Sequence, residues 1–230
     1  MRAEILYRPS YSMAIVDLEP LEEIRVEAGS MVSMTEDVTL KTQMEGGLLR
    51  SLSRSLFGGE SFFMNVYQAP NFGGQINLAP ALPGDMMILE VRPQDTLLVQ
   101  GGSYVASSMG IEIDTKWGGA RTFFASEGLI MLRGSGAGLL LLSSYGAIHP
   151  VDLAPGQKYT VDTGHLVAFS ERMEFNVRRI GGMRSTLFSG EGLVVDLTGP
   201  GRVYMQTRSE DAFLSWLAPN MPQQPPPAQS

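Results

Sequence analysis

Residues 20–32, PLEEIRVEAGSMV, decide the fold, because the chain contains two further copies of this stretch. It aligns without a gap to residues 93–105, PQDTLLVQGGSYV, and to residues 155–167, PGQKYTVDTGHLV. Such self-similarity is typical of structural units that stack or form a ring. The sequence therefore predicts three copies of one unit.

Apolar residues alternate with a period of two inside each copy, which is the pattern of a half-buried strand. Proline and glycine separate these runs at intervals of roughly eight to ten residues, as in all-β sandwiches and barrels. We therefore predict an all-β chain with little helix. Six valines are expected to point into equivalent cores: Val26, Val99, Val161, Val32, Val105 and Val167.

The copies divide the chain into β repeats at residues 1–74, 75–145 and 146–209. Residues 210–217 begin with two acidic side chains, which favour a helix start, and are predicted to form a short helical segment. Residues 218–230 are rich in proline and glutamine and are predicted to be a disordered tail.

The first copy carries an insertion loop at residues 44–57. Its leucines fall at helical spacing, with two arginines on another face. The loop is either a lid over the first copy or a contact surface, at residues 46–57, for a membrane or a protein partner. The residues of this interaction surface are Leu49, Arg50, Leu52, Arg54 and Leu56.

Composition excludes several classes of site. Hydrophobic residues make up 43% and charged residues 18%, which is typical of a folded protein. The net charge of −7 disfavours nucleic-acid binding. The chain has no cysteine, which excludes disulfides, zinc–thiolate sites and cysteine nucleophiles.

Histidine is too scarce for the metal site of a cupin-type barrel, which needs two or three histidines and a carboxylate. The chain has only His149 and His165, and His165 aligns with a serine in both sister copies. Asp162 and His165 are better explained as residues that fix a turn by hydrogen bonds than as parts of a catalytic triad, because no nucleophile elbow is present. No glycine motif follows a strand and opens a helix, so a phosphate loop is also disfavoured.

Three glutamates follow a phenylalanine by three positions, once in each copy. They could form a symmetric ring of acids, but a cap on the turn before each strand explains them more simply. The residues are Glu60, Glu127 and Glu191.

The chain shows no targeting signal. The first residues lack the apolar segment of a signal peptide. The longest strictly aliphatic run, residues 139–142, is far shorter than the ~20 residues of a membrane-spanning helix. The expected location is the cytoplasm of a bacterium.

Several motifs together resemble the family named for altered inheritance of mitochondria: GSMV at 29–32, LFGGE at 56–60, SSYG at 143–146, VDTGHLVAF at 161–169 and QTR at 206–208. The resemblance implies an all-β fold of three short double-stranded β-helix copies around a pseudo-threefold axis. That fold is similar to the tryptophan-responsive RNA-binding attenuation protein. The resemblance implies no established activity.

These observations favour a non-enzymatic scaffold or interaction protein, with no cofactor or catalytic residue assigned. The alternative is a small-ligand- or metal-binding β-barrel, and RNA binding by fold analogy is less favoured. Exposed strand edges must be paired or covered, and 14 methionines suit an adaptable contact surface. We therefore expect a homo-oligomer that associates through a ring face.

Overall fold

The computed structural model describes residues 1–41, 64–114, 130–180 and 193–221. In these residues it contains nineteen β-strands, two short 3-10 turns and one α-helix. The predicted all-β class is confirmed. Glycine- and proline-rich turns separate runs whose inward side chains are apolar, which is why strands dominate.

The strands follow the chain in order. The first seven are β1 (Arg2–Leu6), β2 (Met13–Leu18), β3 (Glu23–Glu27), β4 (Met31–Met34), β5 (Thr39–Lys41), β6 (Met64–Gln68) and β7 (Gly74–Leu78). The next six are β8 (Met86–Val91), β9 (Leu97–Gln100), β10 (Tyr104–Ser108), β11 (Ile111–Asp114), β12 (Met131–Gly136) and β13 (Gly138–Ser143). The last six are β14 (Ile148–Leu153), β15 (Lys158–Asp162), β16 (Leu166–Ser170), β17 (Glu174–Arg179), β18 (Leu193–Thr198) and β19 (Gly201–Gln206), followed by helix α1 (Glu210–Asn220).

Strands β2–β7, β8–β13 and β14–β19 form three consecutive sets, which we call set 1, set 2 and set 3. In every set the first strand pairs with the sixth, and the third also pairs with the sixth. In every set the second strand pairs with the fifth, and the fourth also pairs with the fifth. All of these pairs are antiparallel, and β1 adds to the outside of set 1 through β2.

Neighbouring sets are joined by one further strand pair. The second strand of one set pairs with the third strand of the next, as β3 with β10 and as β9 with β16. Each junction produces a six-stranded sheet. What is left at the two ends of the described chain is a four-stranded sheet, β1-β2-β7-β4, and a three-stranded sheet, β15-β18-β17.

The apolar side chains form three core clusters that extend across the junctions. The first combines set 1 with Met86, Val105 and Leu141 of set 2. The second combines set 2 with Val167 and Ala168 of set 3. Burying these strands against the next set therefore supplies much of each core, at roughly 25 cal/mol per Å² of apolar surface.

Five of the six valines expected in equivalent cores are buried, and Val32 is not. Its side chain is 56% exposed, whereas Val105 and Val167 at the same position of sets 2 and 3 are fully buried. The expectation for Val32 was wrong because β4 lies at a sheet edge, where no second strand of a preceding set covers it. The other buried valines are Val26, Val99 and Val161.

Two predicted boundaries also change. Set 1 ends with β7 at Leu78 and not at residue 74, because β7 pairs with β2 and β4. Helix α1 continues to Asn220, so residues 218–220 are not part of a disordered tail. The helix starts at Ser209, whose hydroxyl accepts a hydrogen bond from the Ala212 amide, and ends where the Asn220 side chain donates to the Trp216 carbonyl.

Candidate functional site

The first candidate site is the outer edge of β4. In both six-stranded sheets the second and third strands of a set lie inside the sheet. Among the second and third strands of the described residues, only β4, a third strand, and β15, a second strand, lie at a sheet edge instead. An unpaired edge exposes a row of backbone donors and acceptors that can take another strand.

β4 is apolar, and its side away from β7 has no partner strand among the described residues. Met31, Val32 and Met34 are 37%, 56% and 38% exposed. All four residues of β4 are exposed, whereas Leu166–Ser170 of set 3 is buried at its first four positions. An apolar edge that has a buried counterpart in the same molecule is typical of a contact surface.

The two internal junctions show what such an edge does when it is covered. At the second junction, the Arg133 guanidinium donates two hydrogen bonds to the Glu171 carboxylate, at 2.7 and 3.0 Å. At the first junction, Arg25 donates to the backbone carbonyl of Ile111, and also to that of Met109 at 3.4 Å. The junctions thus combine backbone pairing, apolar burial and arginine contacts.

The second candidate site is a cavity of about 330 Å³ at the junction of sets 1 and 2. Its charged residues are Glu27, at the end of β3, and Glu210, in the first turn of α1. The uncharged lining residues are Pro80, Ala81, Leu82, Gly101, Gly102, Ile130, Ser143, Ser144, Tyr145 and Gln206.

Gln206, which also lines this cavity, makes two side-chain hydrogen bonds at the next junction. The Gln206 side chain accepts a hydrogen bond from the Tyr145 amide at 2.8 Å and donates to the Gly164 carbonyl at 2.9 Å. Ser143 occupies the equivalent position of β13, because β13 and β19 pair with β8 and β14 in the same register. At the first junction the Ser143 side chain is too short to make the contacts that Gln206 makes at the second.

Burial and, to a smaller extent, the nearby carboxylate of Glu210 raise the pKa of Glu27 to about 7. A hydrogen bond from the Ser30 hydroxyl, at 3.3 Å, opposes the shift. Because the folded-state pKa lies above the ordinary value of 4.5, the folded state favours the neutral acid. The resulting stability is complete below pH 4.5 and is lost as the pH rises towards 7.

Glu27→Gln is therefore expected to raise the free energy of unfolding by about 1–2 kcal/mol at pH 8 and to leave it almost unchanged at pH 4.5. The amide replaces an ionised carboxylate at high pH and a neutral one at low pH. Urea unfolding at both pH values measures the difference. The control is Glu4→Gln, an exposed residue with the same loss of charge, which should stay within about 0.5 kcal/mol of the wild type at both pH values. Equal effects of the two variants at pH 8 would contradict the buried position of Glu27.

The residues singled out from the sequence occupy different places. Asp162 accepts a hydrogen bond from the Gly164 amide at 2.8 Å, and His165 Nδ1 lies 2.8 Å from the Gln206 carbonyl, so both fix the turn as predicted. His149 lies exposed on β14. The described part of the chain holds no group of three or more histidine or acidic side chains placed to bind a metal ion.

Other predicted positions lie outside the described residues. These are the 44–57 insertion with its interaction residues Leu49, Arg50, Leu52, Arg54 and Leu56, and the glutamates Glu60, Glu127 and Glu191. The role of the loop as a lid or a contact surface stays a prediction. Among the helices described, none has the length and apolar character to cross a membrane.

The open β4 edge and the cavity were not predicted from the sequence. The alignment places Met31, Val32 and Met34 in a strand whose counterparts are buried, but it cannot show that β4 has no second strand beside it in the described residues. Glu210 reaches the cavity only because α1 folds back on the first junction, next to Gly102. No local sequence signal reports that contact.

Comparison with known proteins gives a consistent result. A family model described as mitochondrial biogenesis AIM24 matches residues 3–208. An uncharacterized protein of Streptococcus pyogenes serotype M6 is 30% identical over 231 residues, covering 96% of this chain and 92% of the relative. The crystal structure of a protein from Streptococcus pyogenes superposes with a TM-score of 0.79 at 28% identity, covering 96% of this chain and 99% of that one. The chain therefore belongs to the AIM24 mitochondrial biogenesis family, the family that its motifs resemble.

Proposed function

We propose that this protein is a non-enzymatic scaffold that acts by association through the outer edge of β4. The observation that carries the proposal is the exposure of Met31, Val32 and Met34 on a strand whose counterparts β10 and β16 are buried. A relative of this chain comes from a bacterium, and a location in the bacterial cytoplasm is part of the proposal. The arrangement of the copies around a pseudo-threefold axis stays a prediction, because the described strands join the three sets at two junctions and not at three.

The net charge of −7 disfavours RNA as the partner and leaves protein surfaces as the better match for an apolar strand edge. An edge strand gains backbone hydrogen bonds and apolar burial when it accepts another strand. The junctions inside this chain already use that mode of contact twice.

Met34→Lys is expected to reduce the molar mass of the native protein in solution from a multiple of 25.0 kDa to 25.0 kDa. A lysine on an edge strand must be desolvated when a second strand pairs, so it blocks association and leaves the fold intact. Size-exclusion chromatography with light scattering measures the mass.

The matched control is Met109→Lys. Met109 is 37% exposed against 38% for Met34, but it lies in the turn after β10 and not on an open edge. The control should keep the wild-type mass. A wild-type mass of 25.0 kDa at all concentrations, or the same loss of mass in both variants, would overturn the proposal.

The cavity supports a second candidate function, the binding of a small polar ligand. The supporting observation is that Gln206, at the position equivalent to Ser143, makes two side-chain hydrogen bonds that an amide or amine could also make. Ser143→Gln should fill the cavity in the same way. If no small amide or amine raises the melting midpoint of the wild type more than that of Ser143→Gln, this candidate is excluded.

A further inference from the structure

Building on the proposed function, we infer that the strand that pairs with β4 is β15 of a second copy of this chain, so that copies join head to tail. Within the described residues, β15 is a second strand that pairs with no third strand, and β4 is a third strand that pairs with no second strand. Every other second strand in the described chain pairs with the third strand of the following set. Pairing β15 with β4 of the next copy would form this junction a third time.

The resulting sheet has the same strand order as the two sheets already present. The six-stranded sheets run β5-β6-β3-β10-β13-β8 and β11-β12-β9-β16-β19-β14. Joining the two open edges gives β17-β18-β15-β4-β7-β2, with β1 as an additional outer strand. In each sheet the outer strands are then the fourth strand of one set and the first strand of the next. No second or third strand of the described chain is left at a sheet edge, except at the two ends of an open filament.

The internal junctions also fix the register. Residues that face each other there are Ala106 with Val26 and Ala168 with Val99. The residues at the same positions of the open edges are Ser33 and Val161, as the gap-free alignment of the three copies shows. The register therefore places Ser33 opposite Val161, Met34 opposite Thr160 and Thr35 opposite Tyr159.

Side chains on the two edges match in this register. The Glu171 amide donates to the Thr96 carbonyl at 2.9 Å at the second junction, and the equivalent residues are Glu36 and Lys158. Both are exposed, and they bring opposite charges face to face. A groove of about 430 Å³ lies across β15, β18 and β17 and is lined in part by Tyr159, whose ring would face Thr35 in this register.

A contact between two different surfaces of one chain is heterologous. It produces a closed ring when the rotation between copies closes, and an open filament when it does not. The inference is the β4–β15 contact, and it holds for either outcome. It excludes an isologous dimer in which β4 of one copy pairs with β4 of another.

Disulfide trapping tests the contact, because the natural chain contains no cysteine. Met34→Cys and Thr160→Cys place thiols at facing, exposed positions, where directly opposed strand residues lie within disulfide reach. Each single variant is purified, the two are mixed under reducing conditions and then oxidised, and the products are separated on a non-reducing gel. The mixture should form at least tenfold more disulfide-linked dimer than either single variant alone, and the double variant should form a ladder of linked chains.

Met34→Cys combined with Lys158→Cys is the register control. Lys158 points to the same side of β15 as Thr160 but lies diagonal to Met34, where the distance exceeds that of a normal disulfide. The ladder of linked chains from this control should be at least tenfold weaker than the ladder from Met34→Cys combined with Thr160→Cys. An equal or stronger ladder means that the register is wrong.

Four other outcomes overturn the inference. Efficient linkage of Met34→Cys to itself shows isologous pairing, and an internal disulfide in monomeric double variant shows that one chain closes on itself. A Met34→Cys thiol that resists maleimide in a 25.0 kDa monomer shows that the same chain covers the edge. If the wild type is larger than 25.0 kDa and Met34→Lys dissociates it, but no cross-link to Thr160→Cys forms, the proposed function stands and only the β15 partner is wrong.

Discussion

Phe169→Ala is expected to lower the free energy of unfolding by about 3–5 kcal/mol. Phe169 is fully buried on β16, where it faces Leu98 of set 2 and Val203 of β19. Its ring also contacts Phe175 edge to face, with centroids 5.3 Å apart. Truncation leaves a cavity at the place where sets 2 and 3 join, and urea unfolding monitored by circular dichroism measures the loss.

Phe72→Ala removes the same side chain from the turn before β7, where it is 71% exposed. It should change the free energy of unfolding by no more than about 0.5 kcal/mol. Equal costs for the two variants would mean that the β9–β16 junction does not bury Phe169, which would contradict the account of how the sets are joined.

Asp85→Ala is expected to cost about 2–4 kcal/mol of unfolding free energy. The buried Asp85 carboxylate accepts two hydrogen bonds from Arg8, at 2.8 and 2.9 Å, and further bonds from the Ser12 hydroxyl and the Met86 amide. Its removal leaves the buried Ser12 hydroxyl and Met86 amide without this acceptor. Asp85 therefore fixes the loop between β1 and β2 to the start of set 2.

The control is Asp152→Ala, because Asp152 accepts an equivalent pair of hydrogen bonds from Arg202, both at 2.6 Å. The Asp152 side chain is 69% exposed against 4% for Asp85. Exposed ion pairs contribute little, so the urea midpoint of this variant should not shift measurably. A comparable shift in both variants would show that burial does not make Asp85 important.

The Asp85 contribution also depends on pH. Burial alone would raise the pKa of Asp85, but the hydrogen bonds from Arg8, Met86 and Ser12 outweigh it and hold the pKa below its ordinary value of 3.8. The stability from this lowered pKa is complete above 3.8 and is lost as the pH falls through the folded-state value. The difference between wild type and Asp85→Ala should therefore narrow during acid titration below pH 4.

The sequence was sufficient for the fold class because its evidence is local. Alternation around Ile24 and Val26, with glycine turns such as the one at Gly29, specifies half-buried strands whatever their partners. Gly29 has a φ of +95°, which favours glycine, whereas Gly102 and Gly164 at the aligned positions are not among the glycines with positive φ. Burial of Val99, Val161 and Val167 follows from the same alternation.

Val32 could not be predicted correctly because its environment depends on a distant strand. Its sequence position equals that of Val105 and Val167, but β4 has no second strand beside it in the described residues. Equivalence in sequence predicts equivalent surroundings only where each copy has the same neighbours. Val32 is thus the residue whose burial was predicted wrongly, and its exposure marks the open side of β4.

The cavity was unpredictable for a related reason. Glu27, Ser143 and Glu210 come from the ends of β3 and β13 and from helix α1, which are far apart in the chain. The raised pKa of Glu27 depends on burial by all of these elements together. Only Asp162 and His165 could be assigned their role, as residues that fix a turn, from the sequence. Asp162 bonds to the Gly164 amide in the same turn, and His165 bonds to the end of β19, the strand that pairs with β16.

Residue-resolved hydrogen–deuterium exchange of the unmodified protein tests the β4–β15 contact most directly. Amides on the outward side of an unpaired edge exchange with solvent freely, and those of a paired strand are protected. The outward amides of residues 31–35 and 158–162 are predicted to exchange as slowly as those of β10 and β16, and far more slowly than those of the outer strands β1 and β17. Exchange of both segments as fast as β1 and β17 at high protein concentration would contradict the assembly of this chain through its open edges.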